Sequence, residues 1–425
     1  MKSIRPVYVV GSSRTPFAKS LTSYKDVKRQ DMMTAALANL IEKYGLSGKL
    51  IGDVALGALM NSSSNWNLAR ECVLGTKLHP ETPAYNVQRA CGTSLETVWQ
   101  TGLKIATGSM DTAIAGGVDT NSDLPVEISD NLRQALIASS LGKTLLKKIE
   151  PFTKLLPKDL APKPSTVSEP RTGLSMGEHC ELMAKEWQIS RLAQDELALR
   201  SHLAGAKAYD NGFFKDLVFP YQGLSRDGTL RADTSLEKLT KLRPAFDKEH
   251  GTLTAGNSSP LTDGAACVLL ASETALKANN WKPLARLVDF EVAAVDFVHG
   301  AGLLMAPTIA LSKMLERNSF TFDDFDFFEL HEAFAAQVLC SMKAWESDAY
   351  SKKVLKRSKP LGPIPIEKIN VVGSSIAMGH PFAATGARIT GTLAKLLSQK
   401  PGSRGLISIC TAGGMGVTAI LEAVE

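Results

Sequence analysis

Cys91 lies in the segment NVQRACGTSLETVWQ, where Gly92, Thr93 and Ser94 lead into a predicted helix carrying Leu95, Val98 and Leu103 on one side. A cysteine in a tight turn at a helix N-terminus meets unpaired backbone N–H groups. These favour negative charge and would stabilise a thiolate or a developing oxyanion. The same position also suits a buried structural cysteine. His380 lies in NVVGSSIAMGHPFAATGAR, fixed between Gly379 and Pro381. Its small neighbours Ser374, Ser375, Ala377, Ala383, Ala384 and Gly386 let other chain segments come close. Such a histidine is either a base that pairs with a thiol or a hydrogen-bonded core residue. Cys410 ends an apolar run and precedes Gly413, Gly414 and Gly416, a pattern that implies close backbone approach to a ligand or another loop. A thiol there would exchange a proton with a substrate carbon, or simply close a strand.

His331 and Glu332 stand in FFELHEAFAAQ, where an apolar segment gives way to a helix. The segment opens like a zinc helix, but no second histidine follows one turn later, which removes that reading. In GNSSPLTDGAACVLLAS, residues 256–272, Ser258 and Ser259 have the chemistry to bond a ligand amide or to shape a turn.

The elements that must position these groups alternate. Short apolar runs at Val7–Val10, Val54–Leu59, Thr112–Ala115, Ala266–Ala271 and Leu406–Cys410 read as buried strands, the first followed by a turn at Gly11-Ser12-Ser13. Segments such as Met32–Ile41 and Ile309–Leu315 carry apolar residues at helical spacing. This predicts an α/β protein with sheets covered by helices. A faint duplication is visible: Asn86-Val87 and Asn370-Val371 are each followed by a small-residue turn, a helix, an apolar strand and paired glycines. Residues 121–261 break the rhythm with a proline-rich start and a helical second part (Glu178–Trp187 and Arg191–Ala208), and read as an inserted subdomain.

Composition narrows the classes. The 425 residues are 44% hydrophobic and 21% charged, enough for a large core and too balanced for a disordered chain. A net charge of +5 is too small to mark a nucleic-acid binder. All of it is local: Asn131–Ser165 holds seven basic residues and two acids. The six cysteines form no close pair, which excludes a cysteine metal framework and points to a reducing compartment. No apolar run approaches about 18 residues, so no transmembrane helix is expected. The N-terminus enters a strand-like run almost at once, so the expected location is cytoplasmic, without a leader.

Four motifs occur in one order: the cysteine turn, HEAFA, GHP, and a cysteine followed two residues later by paired glycines. With SSRTPF, KLRPAF (241–246) and TAGNSSPLTDGAA (254–266), this combination resembles the thiolase family over essentially the whole chain. The resemblance implies two βαβαβαββ-type halves in a layered αβαβα body. Residues 1–120 with 262–283 would form the first half, 121–261 an inserted, mainly helical loop domain, and 284–425 the second half. It implies Cys91 as the acyl-accepting nucleophile, His380 as the base that activates it, and Cys410 as the acid/base at the substrate α-carbon. His331 takes the place where most thiolases have Asn, and would serve an oxyanion site directly or through water. The backbone N–H groups of Cys91 and Ala412 would form a second oxyanion site.

His331, CGTS and CTAGG resemble the branch of thiolase subunits found in fatty-acid oxidation complexes. The coenzyme A positions would be Met176, Arg231, Phe246, Ala255, Ser259, Ala333 and Phe334, with Ser175 where the family often has His. The implied activity is cleavage of 3-ketoacyl-CoA by CoA, or condensation of two acetyl-CoA. CoA acts as co-substrate, with no permanent cofactor or metal. A homodimer or tetramer is implied. Residues 131–165 carry basic groups and apolar residues at helical spacing, broken near Pro151 and Pro157, and would dock a hydratase/dehydrogenase subunit or a membrane surface. A Cys/His hydrolase has no use for Cys410, and a non-catalytic CoA-binding protein has no use for the four intact chemical groups.

Overall fold

Fully buried strands need apolar residues on both faces, and the strands of this chain have them. In the computed structural model, which describes residues 4–163 and 168–424, ten strands are formed. They are β1 Val7–Arg14, β2 Ala18–Lys19, β3 Asp53–Leu56, β4 Ala84–Asn86, β5 Thr112–Asp119, β6 Thr262–Ser272, β7 Ala285–Ala294, β8 Phe327–Leu330, β9 Arg404–Thr411 and β10 Met415–Glu422. Nine run side by side in the order β4-β3-β5-β6-β1-β7-β10-β9-β8, and β2 pairs with β6.

The order is a duplication. From the centre outward the first half reads β1, β6, β5, β3, β4, and the second reads β7, β10, β9, β8, then a bridge from Phe328 to Ile369. Pairing senses agree. β3 is parallel to β5 as β8 is to β9; β5 and β6 are antiparallel, as are β9 and β10. The halves join where Val7–Val9 of β1 meet Ala285–Leu287 of β7, antiparallel. The predicted turn at Gly11-Ser12-Ser13 is instead strand: β1 runs on to Arg14, with a register shift between Val9 and Gly11, because β6 continues to pair with it.

Side chains alternate between layers. On β6, Ala266, Val268 and Leu270 face an inner core with the helices Thr93–Ala106 and Thr385–Ser398. Ala265, Cys267, Leu269 and Ala271 face an outer core with the helix Arg29–Lys43. In the second half, Ile407 and Ile409 face inward while Leu406 packs with Leu311, Met314 and Val338 of outer helices. The inner helices touch: a Cβ placed on Gly386 would fall 2.3 Å from the Leu95 backbone nitrogen, so only glycine allows this approach. Ser94 Oγ accepts the Ala387 N–H at 2.8 Å across the same contact. That contact brings the N-terminal ends of the two helices, and hence Cys91 and His380, to one place.

The chain divides into two compact bodies. One comprises the residues up to Asp123 and from Glu169 onward; the other is Leu124–Ser168. Residues 169–261, read from sequence as the later part of an insertion, thus belong to the larger body. The smaller body has helices at Asp130–Leu141 and Leu145–Ile149 and turns at Glu150–Lys154 and Pro157–Leu160. Its first helix break is at Gly142, ahead of Pro151. Asp159 ties it together, accepting from the Leu156 N–H and Asn131 Nδ2. Pro164 and Ser165, at the end of the basic window, lie outside the described residues.

Candidate active site

Cys91 sits in a one-turn helix, Ala90–Gly92, that runs directly into the inner helix Thr93–Ala106. Ala90 is held at φ 44°, a conformation unfavourable for alanine. Thr93 fixes it: its hydroxyl donates to the Ala90 carbonyl at 2.7 Å and accepts the Arg89 N–H at 2.8 Å. His380 follows Gly379, whose φ of 97° suits glycine alone, and its backbone bridges to Leu261. His331 leaves the end of β8, its N–H donating to the Ser408 carbonyl of β9 at 2.8 Å. Cys410 lies near the end of β9, opposite Gly416 of β10.

These elements converge. Cys91 Sγ and one ring nitrogen each of His331 and His380 all lie within 4.8 Å of one another. The two imidazole centroids are 4.1 Å apart, tilted by 51°. Each ring is anchored through Nδ1, His380 to Thr385 Oγ1 at 2.6 Å and His331 to Ser375 Oγ at 2.8 Å. Among the described residues neither Nε2 atom has a hydrogen-bond partner, and both are buried, so they are the free chemical ends. Backbone N–H groups of Ala412 and of Cys91 itself approach the thiol as donors. Cys410 is buried close enough that charge on Cys91 is felt there.

Burial pushes the Cys91 thiol up to about 12, and the two backbone donors offset only part of this. Burial, with Arg388 adding to it, holds His380 down to about 3. The resting pair is therefore a neutral thiol beside a neutral imidazole. The expected pull of the helix N-terminus toward a thiolate is outweighed by loss of solvation. The expected consequence is that iodoacetamide labelling of Cys91 accelerates about tenfold per pH unit from pH 6 to 9, tracking the small thiolate fraction. A rate flat across that range would reveal a preformed thiolate–imidazolium pair. The three clustered atoms could also hold a soft metal ion, but the buried guanidinium of Arg388 behind His331 opposes a second cation there.

The loops around the site are tied by buried carboxylates. Asp119 accepts the N–H groups of Leu59, Met60 and Ala383, and Glu169 accepts that of Gly413 at 2.7 Å. Glu332 accepts from Ser201 Oγ, Asn370 Nδ2 and the Ile376 N–H. Its place in HEAFA is thus a brace under the GHP loop.

Of the residues expected to bind CoA, five lie together. Ser259 donates its N–H to the Ala333 carbonyl at 2.9 Å, and Phe246 meets Phe334 edge-on at 5.8 Å. Met176 and Phe246 pack on the same cluster as Ala333, Phe334 and Cys410. Ala255 and Arg231 are both exposed, with the Arg231 N–H donating to His202 Nδ1 at 3.3 Å. Ser175 forms a capping box with Glu178. Sequence reading passed over Thr385 and Arg388 and took Ser375 only as a small spacer. The signal available was two hydroxyls, each five residues from His380 in the segment already singled out.

The N-terminal domain model of thiolase matches residues 7–274 and the thiolase C-terminal domain model matches 281–423. The 3-ketoacyl-CoA thiolase of Yersinia pestis (strain Pestoides F) is 41% identical over 422 residues, covering 98% of this chain and 96% of that one. Human mitochondrial 3-ketoacyl-CoA thiolase, solved in complex with CoA, superposes with a TM-score of 0.81 at 29% identity, covering 100% of both chains. An acetyl-CoA acetyltransferase of Bacillus anthracis does so with the same TM-score, identity and coverage. With both domain models matched in order and a relative at this identity aligned almost end to end, the chain belongs to the thiolase family.

Proposed function

We propose that this protein is a degradative 3-ketoacyl-CoA thiolase, cleaving 3-ketoacyl-CoA with CoA to acyl-CoA and acetyl-CoA. The observation that carries the reading is a thiol within 4.8 Å of two imidazole nitrogens, with a second buried thiol beside it. In the first half-reaction the Cys91 proton passes to His380 Nε2 and the thiolate attacks the 3-keto carbon. The C2–C3 bond then breaks and its electron pair stays on C2, which takes the Cys410 proton and leaves as acetyl-CoA. Cys91 now carries the acyl group as a thioester. The proton on His380 returns to Cys410, leaving His380 neutral again. In the second half-reaction His380 takes the proton of an incoming CoA thiol. That thiolate attacks the thioester, and the released Cys91 sulfur recovers the proton. His331 and protonated His380 face one oxyanion; the N–H groups of Cys91 and Ala412 face the other.

With Cys410→Ala, α-proton exchange of acetyl-CoA should be lost while Cys91 still accepts acyl groups. Persistent exchange would remove Cys410 from proton transfer. The alternative, condensation of two acetyl-CoA, uses the same four side chains. It is favoured by the likeness to an acetyl-CoA acetyltransferase. The test is kcat/KM for thiolysis of acetoacetyl-CoA against 3-ketopalmitoyl-CoA. A preference for the long chain supports the degradative reading and a strong preference for acetoacetyl-CoA supports the alternative.

We further propose a cytoplasmic homodimer or tetramer whose smaller body docks a hydratase/dehydrogenase subunit or an anionic membrane. What supports the docking is exposed apolar surface among lysines: Leu141, Leu145 and Leu146 are 76%, 74% and 82% exposed. Lys143, Lys147, Lys148 and Lys154 replaced by Glu should abolish co-sedimentation with anionic vesicles or with the partner subunit. Undiminished co-sedimentation would refute it.

A further inference from the structure

Ser375 bonds two groups, His331 Nδ1 at 2.8 Å and Arg388 Nη2 at 2.6 Å. Arginine offers donors only, so the serine oxygen accepts from Arg388 and its own proton remains to be given. Among the described residues its hydrogen bonds include one possible acceptor, His331 Nδ1. Were Nδ1 protonated, the buried serine hydroxyl would point at a donor and go unpaired, which is costly. The neighbouring serine repeats the pattern: Ser374 Oγ accepts from Arg388 Nη1 at 3.3 Å and donates to the Leu330 carbonyl at 3.4 Å, one residue before His331. Arg388 is itself 1% exposed and, among the described residues, has no direct carboxylate partner; the carboxylates of Glu329 and Glu332 act on it through space.

We propose that Arg388 and Ser375 form a positioning relay that fixes His331 as the Nε2–H tautomer, a neutral hydrogen-bond donor facing Cys91 and His380. The relay gives the two histidines opposite duties. His380 Nε2 must hold a lone pair to take the Cys91 proton, so its Nδ1–H donates to Thr385. His331 Nε2 must already hold a proton to meet the oxyanion. Burial, His380 and Arg388 all keep His331 well below its usual protonation range, so it donates without becoming a cation. A pair of imidazoles 4.1 Å apart in the same tautomer would offer two donors or two acceptors at rest; the relay removes that ambiguity.

The proposal rests on the thiolase reading for its catalytic meaning, but its structural core is tested without turnover. In the full-length protein with nitrogen-15 histidine, the His331 resonances, assigned by their loss in His331→Gln, should show a protonated Nε2 and a bare Nδ1. The reverse pattern would overturn the proposal. Ser375→Ala should lose that fixed pattern and lower kcat about 10²-fold, the size of one lost oxyanion donor, with KM nearly unchanged. Ser375→Thr, which keeps the hydroxyl, should restore both. Wild-type kcat in folded Ser375→Ala would also overturn it. Should the alanine variant fail to fold, the wild-type spectrum and the threonine variant still decide. An enzyme with no thiolysis at all would defeat the functional reading while leaving the tautomer to be read directly.

Discussion

Cys91→Ser is expected to lower the rate of thiolysis by at least about 10⁴-fold while leaving CoA binding within a few-fold of wild type. Removing a nucleophile from a set that acts as a unit forfeits nearly the whole chemical advantage. A serine hydroxyl is also a far weaker acid than a thiol. The Cys91 thiol is already pushed to about 12 by burial, and His380 is the base that must remove its proton. Binding should survive because the cluster of Met176, Phe246, Ala333 and Phe334 packs without help from the Cys91 side chain. Steady-state kinetics with 3-ketoacyl-CoA and calorimetry with CoA separate the two effects. Turnover within tenfold of wild type would place the acyl group elsewhere.

The second large effect is at His380. Burial holds the Cys91 thiol well above its ordinary value, so little of it is ionised near neutral pH and the attack needs a base. His380→Ala should therefore lose about 10²–10⁴ in kcat at pH 7, the usual contribution of a positioned base, and the residual rate should climb about tenfold per pH unit as hydroxide replaces it. The sign follows from the direction of both displacements. The thiol is held high and the imidazole low, so neither is charged at rest near neutral pH. The wild-type enzyme then carries its proton transfer within the pair, and its rate changes little where the variant's climbs. A variant whose rate is flat with pH would mean that something other than His380 removes the proton.

Much of this was legible in the residues. The strands at Val7, Thr112, Ala266 and Leu406 were visible as apolar runs because both of their faces are buried. The duplication was visible as repeated order, and the topology repeats over four strands, with the bridge to Ile369 where the first half has β4. Cys91, His380 and Cys410 stood out because each has a run of small residues beside it, and His331 because it breaks an apolar run. What escaped had a common physical cause: it depends on contacts between distant segments. The end of β1 looked like a turn because Gly11, Ser12 and Ser13 are weak strand formers, and only pairing with β6 makes them strand. Ser375 looked like a spacer and Thr385 carried no signal because a hydroxyl shows its partner only after folding. The helix N-terminus of Cys91 was read as favouring a thiolate, because burial by the loops of β9 and of His380 cannot be seen in its own segment.

The most direct test of the account is to look for the covalent intermediate. The protein is mixed with 3-ketopalmitoyl-CoA in the absence of free CoA, quenched in acid, and examined by intact-mass and peptide mass spectrometry. The account predicts an increment of one tetradecanoyl group on the peptide bearing Cys91, lost on adding CoA and absent in Cys91→Ser. Thiolysis that proceeds with no acyl group on Cys91, or with the group on Cys410, would contradict it.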